Sequence, residues 1–221
     1  HQERQRHHHG QRRPGQRDRR EVAPDDFPQQ LAELLAHYDG SLPADRRRAV
    51  AARLMPAIRG MISKDHRMVG HFDDQPAVLE FVNANKLEPL AALGTSCPDH
   101  FLRTKIRPLV VGFDPAKPDV GGTLAALAAL VEAYRADYSA YYHRCKHPDS
   151  PPLRDANAVV YLVPGVGMLT FAKDKATARI SGEFYVNAIN VMRGADTVST
   201  YRGLPEQEAF DIEYWLLEEA K

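Results

Sequence analysis

The sequence contains little that would set it apart from an ordinary globular protein. It has two cysteines and one tryptophan, and its 29 basic residues balance 29 acidic ones. Two cysteines are too few for a disulfide scaffold, so we expect reduced thiols at Cys97 and Cys145 and a cytoplasmic protein. No apolar run reaches the roughly 20 residues of a membrane helix, and no apolar signal segment stands at the start. These absences argue against a membrane or secreted disulfide-rich protein.

The balanced net charge conceals an uneven distribution. Seven arginines and two acidic residues give the first 20 residues a net charge of +5, so the remaining 201 carry −5. A mildly acidic body argues against nucleic acid as a partner. Residues 1–26 contain almost no apolar side chains and are predicted to form a disordered basic His/Arg-rich tail. The cluster His7, His8 and His9 could bind a metal, although a purification remnant or a basic linker explains it more simply.

From residue 27 the hydrophobic pattern predicts alternating helices and strands. Helices are expected over 31–38, 44–62, 77–84, 87–94, 123–145, 175–193 and 204–221, and strands over 67–72, 106–113 and 158–165. Pro56 should kink or end the second helix, Asp174 should cap the helix that follows it, and Gly194 should stop that helix. The alternation predicts an α/β fold with helices on both faces of a sheet.

The densest group of chemically capable residues lies in 94–105, GTSCPDHFLRTK. Cys97, Asp99 and His100 are zinc ligand types, whereas Arg103 and Lys105 could clamp a phosphate or carboxylate. A structural alternative explains the same residues: Ser96 or Asp99 caps a short helix, Cys97 is buried, and the basic pair is solvated. Residue types alone favour this structural alternative.

Several other motifs have simple structural explanations. PGVG at 164–167 lacks a dinucleotide or P-loop pattern, and a tight turn that needs positive φ explains it better. His143 and His147, beside Cys145 and Asp149, could bind a metal, but a helix C-terminus also favours cationic histidines. Helical spacing predicts packing for the tyrosine stripe and a solvated face for the acidic set. The stripe comprises Tyr134, Tyr138, Tyr141 and Tyr142, and the acidic set Glu206, Glu208, Asp211 and Glu213.

Three long segments carry a family resemblance: 94–111, 159–195 and 204–221. They resemble the bifunctional rhamnulose-1-phosphate aldolase/short-chain dehydrogenase proteins, and the likeness extends over residues 65–221. The resemblance implies a class II aldolase/adducin-like sheet covered by helices. It also implies that the family's zinc ligands lie N-terminal to this segment and that the NAD-binding dehydrogenase lies C-terminal to it. We therefore expect the chain to be an internal piece of a longer protein.

Comparison with the spacing of class II aldolases suggests a degenerate second copy of the aldolase fold. Glu80 precedes His100 by 20 residues, as the catalytic glutamate precedes an HxH pair in such enzymes. Asp99 and His100 then occupy the HxH position, and Val166-Gly167 replaces the later His-Gly in an expected strand-turn-helix. Glu80, Asp99 and His100 are thus the catalytic candidates. A single remaining histidine would not make a three-histidine zinc site, so metal binding by Cys97, Asp99 and His100 is not expected.

The resemblance divides the chain into the tail 1–26, an aldolase-type domain over 27–203, and a connector helix over 204–221 that leads toward a dehydrogenase. It implies a parent enzyme that cleaves rhamnulose 1-phosphate to dihydroxyacetone phosphate and lactaldehyde and oxidises the lactaldehyde with NAD. Within that parent we expect a homo-oligomer in which Arg103 and Lys105 bind the phosphate of the ketose. The alternatives are a non-catalytic scaffold or oligomerisation module, and a free-standing metal enzyme built on Cys97, Asp99 and His100.

Overall fold

The computed structural model describes residues 40–64 and 66–216. The predicted tail 1–26 and helix 31–38 lie outside the described residues, as do the last five residues of the predicted terminal helix. The helices are α1 (Ala44–Ile62), α2 (Pro76–Val82), α3 (Leu87–Leu93), α4 (Pro98–Thr104), α5 (Val120–Cys145), α6 (Lys175–Val198) and α7 (Glu206–Glu213). The strands are β1 (Val69–Asp73), β2 (Leu109–Val110), β3 (Val160–Val163) and β4 (Gly167–Ala172).

The four strands form one mixed sheet in the order β1-β4-β3-β2. β4 pairs antiparallel with both β1 and β3, whereas β2 runs parallel to β3. A tight turn joins β3 to β4, with φ of 71° at Gly165 and 139° at Gly167. The expected positive-φ turn is therefore confirmed. The expected strand-turn-helix is wrong, because the segment after the turn forms β4 before the chain reaches α6.

Helices cover both faces of the sheet, as the alternating pattern predicted. On one face α1 and α5 pack against a core that includes Leu54, Leu127 and Leu169. On the other face α2, α3 and α6 enclose a core that includes Val78, Leu162 and Ile189. β3 is buried on both sides, since Tyr161 and Val163 belong to the first core and Val160 and Leu162 to the second.

α1 occupies the predicted range 44–62, and Pro56 lies inside it without ending it. Other boundaries differ from the sequence-based expectation, and α6 continues through Gly194 to Val198. Gly194 is exposed in the helix, where glycine costs about 1 kcal/mol relative to alanine but does not force an end. β2 contains only Leu109 and Val110, because Pro108 has no N–H to donate to a neighbouring strand.

A third group of buried residues lies apart from the two sheet faces, and we call it the aromatic cluster. It joins α4, the C-terminal half of α5 and α7, and comprises Phe101, Ile106, Tyr138, Tyr141, Tyr142, Cys145, Ala209, Phe210 and Tyr214. The packing role predicted for the tyrosine stripe is confirmed. The expected connector helix begins by packing onto this domain, since Ala209, Phe210 and Tyr214 are buried here.

Candidate functional site

The candidate residues 97–105 lie on and around α4. Pro98 occupies the first turn, where its missing N–H is not needed, and Cys97 is the N-cap residue without a side-chain cap bond. The short helix foreseen as the structural alternative is thus present, but neither Ser96 nor Asp99 caps it. α4 packs between α6 and α7, so its inward side chains meet two helices and not an open cleft.

His100 is a buried core histidine. It is 1% exposed, and its ring meets that of Phe184 edge-on with 5.5 Å between centroids. Its Nε2 lies 3.3 Å from Nδ2 of Asn187, while its Nδ1 has no hydrogen-bond partner. Burial lowers the pKa of His100 more than the nearby Asp99 carboxylate raises it. The imidazole is therefore kept neutral by its surroundings.

The three residues of the possible metal set do not converge. Cys97 is half-buried, Asp99 is exposed on the outer side of α4, and His100 points into the protein. Across residues 40–64 and 66–216, no three His, Cys, Asp or Glu side chains are grouped closely enough to hold a metal ion. The zinc implied by the family resemblance therefore does not fit the donors found in this part of the chain.

Glu80 and Val166 are also placed differently from the aligned aldolase positions. The Glu80 carboxylate accepts from Nη1 of Arg193 at 2.6 Å, which ties α2 to α6. Val166 is buried in the core beneath α1 and α5, whereas His100 packs against α6 on the opposite face. The positions expected to match a glutamate and metal ligands thus do not face one common centre.

Arg103 and Lys105 have different environments. Arg103 is exposed, whereas Lys105 is 9% exposed and its Nζ donates to the backbone carbonyl of Asp155. The Lys105 Nζ also lies 4.0 Å from the centroid of the Tyr138 ring. Burial lowers the pKa of Lys105 to about 8. The expected joint clamp is not assembled, because the Lys105 ammonium is directed inward, and a phosphate-binding role for Arg103 stays a prediction.

Glu213 carries a buried carboxylate, and its burial was not predicted from the sequence. It is 1% exposed, and its carboxylate accepts from the hydroxyls of Tyr138 at 2.6 Å and Tyr141 at 3.3 Å. Burial raises the pKa of Glu213, against the opposing effect of these hydrogen bonds and of Lys105. Glu213 follows Ala209 and Phe210 at helical spacing, and this shared face was the signal that could have identified it.

Of the acidic set on α7, only Glu213 contradicts the predicted solvated face, because Glu206, Glu208 and Asp211 keep at least part of their side chains in solvent. Glu206 pairs with Arg107 and Arg144, each at 3.1 Å, and Asp211 Oδ1 lies 2.8 Å from Nε2 of His147. Glu208 alone of the four remains exposed without a partner given by the structure. His147 thus faces an α7 carboxylate instead of joining Cys145 and Asp149 around a metal.

The NAD implied by the resemblance does not fit this part of the chain either. A dinucleotide-binding turn leads from a strand into a helix whose N-terminus meets the pyrophosphate. Here the glycine-containing turn leads from β3 into β4. Moreover, a Cβ at Gly165 would lie 2.3 Å from Pro115 Cβ and one at Gly167 would lie 2.6 Å from the Asp73 carbonyl oxygen. These glycines serve close packing, not ligand approach.

One open concavity of about 320 Å³ lies between α1 and β1, away from α4. Its lining residues are Met55, Pro56, Arg59, Gly60, Ser63, Gly70 and Phe171. None of the residues predicted to form a site lines it.

Comparison with known proteins identifies the domain class. Residues 49–221 match the family model described as aldolase class II, second domain. The chain belongs to this family. The class II aldolase part of the resemblance is therefore confirmed, together with the mixed α/β fold. The matched region includes α7, in agreement with the packing of that helix onto the domain.

A curated relative points to a longer protein. The chain is 37% identical over 177 residues to the uncharacterized oxidoreductase YuxG of Bacillus subtilis (strain 168), a match that takes in 80% of this chain. The chain spans 26% of that relative's length. No solved structure matches the chain. In the described part of this aldolase domain, no helix combines the length and apolar character that crossing a membrane requires.

Proposed function

We propose that this chain is the second domain of the aldolase half of a larger sugar-catabolic enzyme and that it supports catalysis without holding the metal. The observation that carries the proposal is the internal use of its candidate ligands within an aldolase-family domain. His100 is packed against Phe184, and Glu80 is paired with Arg193. The proposal is also supported by the absence, among residues 40–64 and 66–216, of any three His, Cys, Asp or Glu side chains grouped closely enough to hold a metal ion.

We further propose rhamnulose 1-phosphate as the ketose cleaved by the whole enzyme, with dihydroxyacetone phosphate and lactaldehyde as products. The zinc that would polarise the ketose carbonyl is assigned to the neighbouring aldolase domain. An NAD-dependent oxidoreductase domain would oxidise the lactaldehyde, an assignment supported by the description of the relative from Bacillus subtilis as an oxidoreductase. The proposal includes a cytoplasmic homo-oligomer with no nucleic-acid partner.

Within this scheme Arg103 is the residue proposed to bind the substrate phosphate. It lies exposed on α4, within the segment 94–111 that carries the family resemblance, and a guanidinium suits a phosphate because it can donate two parallel hydrogen bonds. Lys105 is assigned an internal role instead, because its ammonium is already bound to the Asp155 carbonyl.

The test is the kinetics of the full-length enzyme carrying Arg103→Ala. A direct phosphate contact predicts a KM for rhamnulose 1-phosphate raised about tenfold or more, with an unchanged far-ultraviolet circular dichroism spectrum. Arg53→Ala, an exposed arginine on α1, is the matched control and should leave KM unchanged. An unchanged KM in Arg103→Ala would remove the phosphate role.

A second candidate function is a scaffold that sets contacts between subunits or domains. It is favoured by exposed apolar side chains near the C-terminal end of the described chain: Val198 is 77%, Trp215 51% and Leu216 56% exposed. If Arg103→Ala leaves the kinetics intact while Trp215→Ser with Leu216→Ser lowers the oligomeric state in sedimentation, the scaffold function is the better account.

A further inference from the structure

α7 is attached to the domain through a different set of contacts from those that hold the sheet. It packs on α4 and α5, and its buried residues belong to the aromatic cluster. The Phe210 and Tyr214 rings are stacked with 4.6 Å between centroids. Half-buried Tyr134 packs against both this cluster and the core beneath α1 and α5. Stability in proteins is often divided between such partly separate groups of contacts.

The acidic side chains of α7 carry much of its attachment. Glu206 bonds to Arg107 and Arg144 at the start of the helix, and Asp211 bonds to His147 near its middle. These pairs are partly exposed and therefore individually weak. At the end of the helix the Glu213 carboxylate is instead buried against two tyrosine hydroxyls, where charge matters more because water does not screen it.

Lys105 and Glu213 contact different parts of the same Tyr138 side chain. The Lys105 ammonium is over the Tyr138 ring, while the hydroxyl of the same ring donates to Glu213. The Lys105 backbone has a φ of 61°, a strained conformation for a residue with a side chain. Burying the Lys105 ammonium and the Glu213 carboxylate costs free energy, which each charge partly offsets for the other. Removal of either charge therefore leaves the other buried without its compensation.

We propose that α7 is a latch: it undocks as a unit while the sheet remains folded, and the buried charges of Lys105 and Glu213, which both contact Tyr138, control how tightly it docks. The inference rests on the contacts of α7 and does not depend on the proposed function. It places a conformational device at the end of the aldolase domain, at the residues that precede the exposed Trp215 and Leu216.

The protonation of Lys105 determines whether α7 docks more or less tightly as the pH rises. Burial lowers the Lys105 pKa from 10.5 to about 8; Asp155 and Glu213 act against that shift and Arg154 adds to it. Lys105 directly follows α4, which packs on α7, and Glu213 of α7 acts on its ammonium. The latch therefore predicts that undocking of α7 exposes Lys105 and returns its pKa toward 10.5. Between these values the docked state binds fewer protons, so docking strengthens as pH rises. From pH 7 to 9 the Lys105 contribution to the docking constant grows about tenfold.

The only tryptophan of the chain reports on the latch, because Trp215 directly follows Tyr214. Trp215 emission would be compared with far-ultraviolet circular dichroism during urea titration of the full chain. The latch predicts that the tryptophan transition precedes the circular dichroism transition. Coincident transitions at every pH from 7 to 9 would overturn the proposal, since α7 would then leave only when the whole domain unfolds.

Three variants test the charge control. In the wild type, the docking constant obtained from the Trp215 transition should increase about tenfold between pH 7 and 9. In Lys105→Met this increase should be absent. In Glu213→Gln the docking constant should increase by more than tenfold over the same range, because the Lys105 pKa falls further without the carboxylate. Combining the two substitutions should abolish the change again. Glu208→Gln, an exposed site on the same helix, is the matched control and should behave as wild type.

Equal pH dependence of the wild type and Lys105→Met would show that Lys105 does not control docking. If Glu213→Gln fails to fold, the comparison of the wild type with Lys105→Met decides the matter by itself. Tyrosines and Cys145 also have raised pKa values in the folded protein. Because these groups are common to both proteins, the difference between the two pH profiles isolates Lys105.

Discussion

The sheet and the aromatic cluster are stabilised by different interactions. β3 and β4 lie between two apolar cores in which Leu162, Met168 and Leu169 are fully buried. The aromatic cluster also excludes water, but it contains a buried carboxylate at Glu213 and a buried ammonium at Lys105. The sheet is therefore held mainly by area removed from water, whereas the cluster depends on polar groups finding their partners.

This difference predicts which substitutions each region tolerates. An apolar core accepts swaps of similar volume and is damaged by cavities. Removing a hydrogen-bond donor from a buried polar network is destabilising, because the acceptor that remains is buried without a partner. The four predictions that follow probe this contrast, beginning with the change that should cost most.

Leu169→Ala should give the largest loss. Leu169 is fully buried in β4 beneath α1 and α5, and a leucine-to-alanine cavity typically costs about 2–5 kcal/mol. Urea unfolding followed by circular dichroism measures the change. Leu153→Ala, at a 37% exposed position outside both cores, is the control; an equal loss at both positions would remove the distinction between core and surface leucines.

Tyr138→Phe should be the next most costly, although it removes a single oxygen. The lost hydroxyl donates to Glu213 at 2.6 Å, so the buried carboxylate would retain its longer bond to Tyr141 with less compensation. We expect a loss of about 1–3 kcal/mol in the free energy of unfolding. Tyr142→Phe, whose hydroxyl donates to the Pro151 carbonyl, is the comparison and should cost less. The reverse order would contradict the role given to Glu213.

Asp119→Ala should reduce the free energy of unfolding by an intermediate amount, and it should destabilise both the sheet core and the aromatic cluster. The Asp119 side chain accepts from the Gly122 N–H at the start of α5, a helix that contributes to the sheet core and to the aromatic cluster. Loss of such a cap costs about 1 kcal/mol. Asp119→Asn retains an acceptor and should recover most of the stability. If asparagine is as harmful as alanine, capping is not the reason for the loss.

Lys86→Ala should have the smallest effect. Lys86 pairs with Asp196 at 2.8 Å, but the lysine side chain is 63% exposed, and exposed pairs contribute roughly 0–1 kcal/mol. A change in the unfolding midpoint within experimental error is expected. A loss as large as that of Tyr138→Phe would show that surface pairs stabilise this fold as strongly as its buried network.

The same contrast explains how far the sequence could lead. Hydrophobic periodicity predicted the α/β class and both covered faces, and the glycines of PGVG at 164–167 predicted the positive-φ turn, because these features follow from local patterns. β4 was missed because its residues after the turn, GMLTFA, were not recognised as a buried strand. The stretch between the turn at 164–167 and the predicted helix at 175–193 was not assigned to any strand.

The polar positions could not be resolved in the same way. Residue type and spacing do not state whether His100 meets solvent, a metal or Phe184, nor that Glu213 turns inward while Glu208 turns outward. Those outcomes depend on how α4, α5, α6 and α7 pack together, and that packing joins residues distant in sequence. For this reason the aldolase class was recognisable from long motifs, whereas the individual roles of Glu80, Asp99 and His100 were not.

The central proposal is that residues 40–64 and 66–216 use Glu80 and His100 in contacts within the domain and hold no catalytic metal. The most direct measurement is the zinc content of the full chain purified without chelator, with His7, His8 and His9 replaced by serine, together with a retro-aldol assay on rhamnulose 1-phosphate. The account predicts a folded protein that retains no zinc and does not cleave the ketose. One zinc per chain that supports cleavage and is lost in His100→Ala would contradict it.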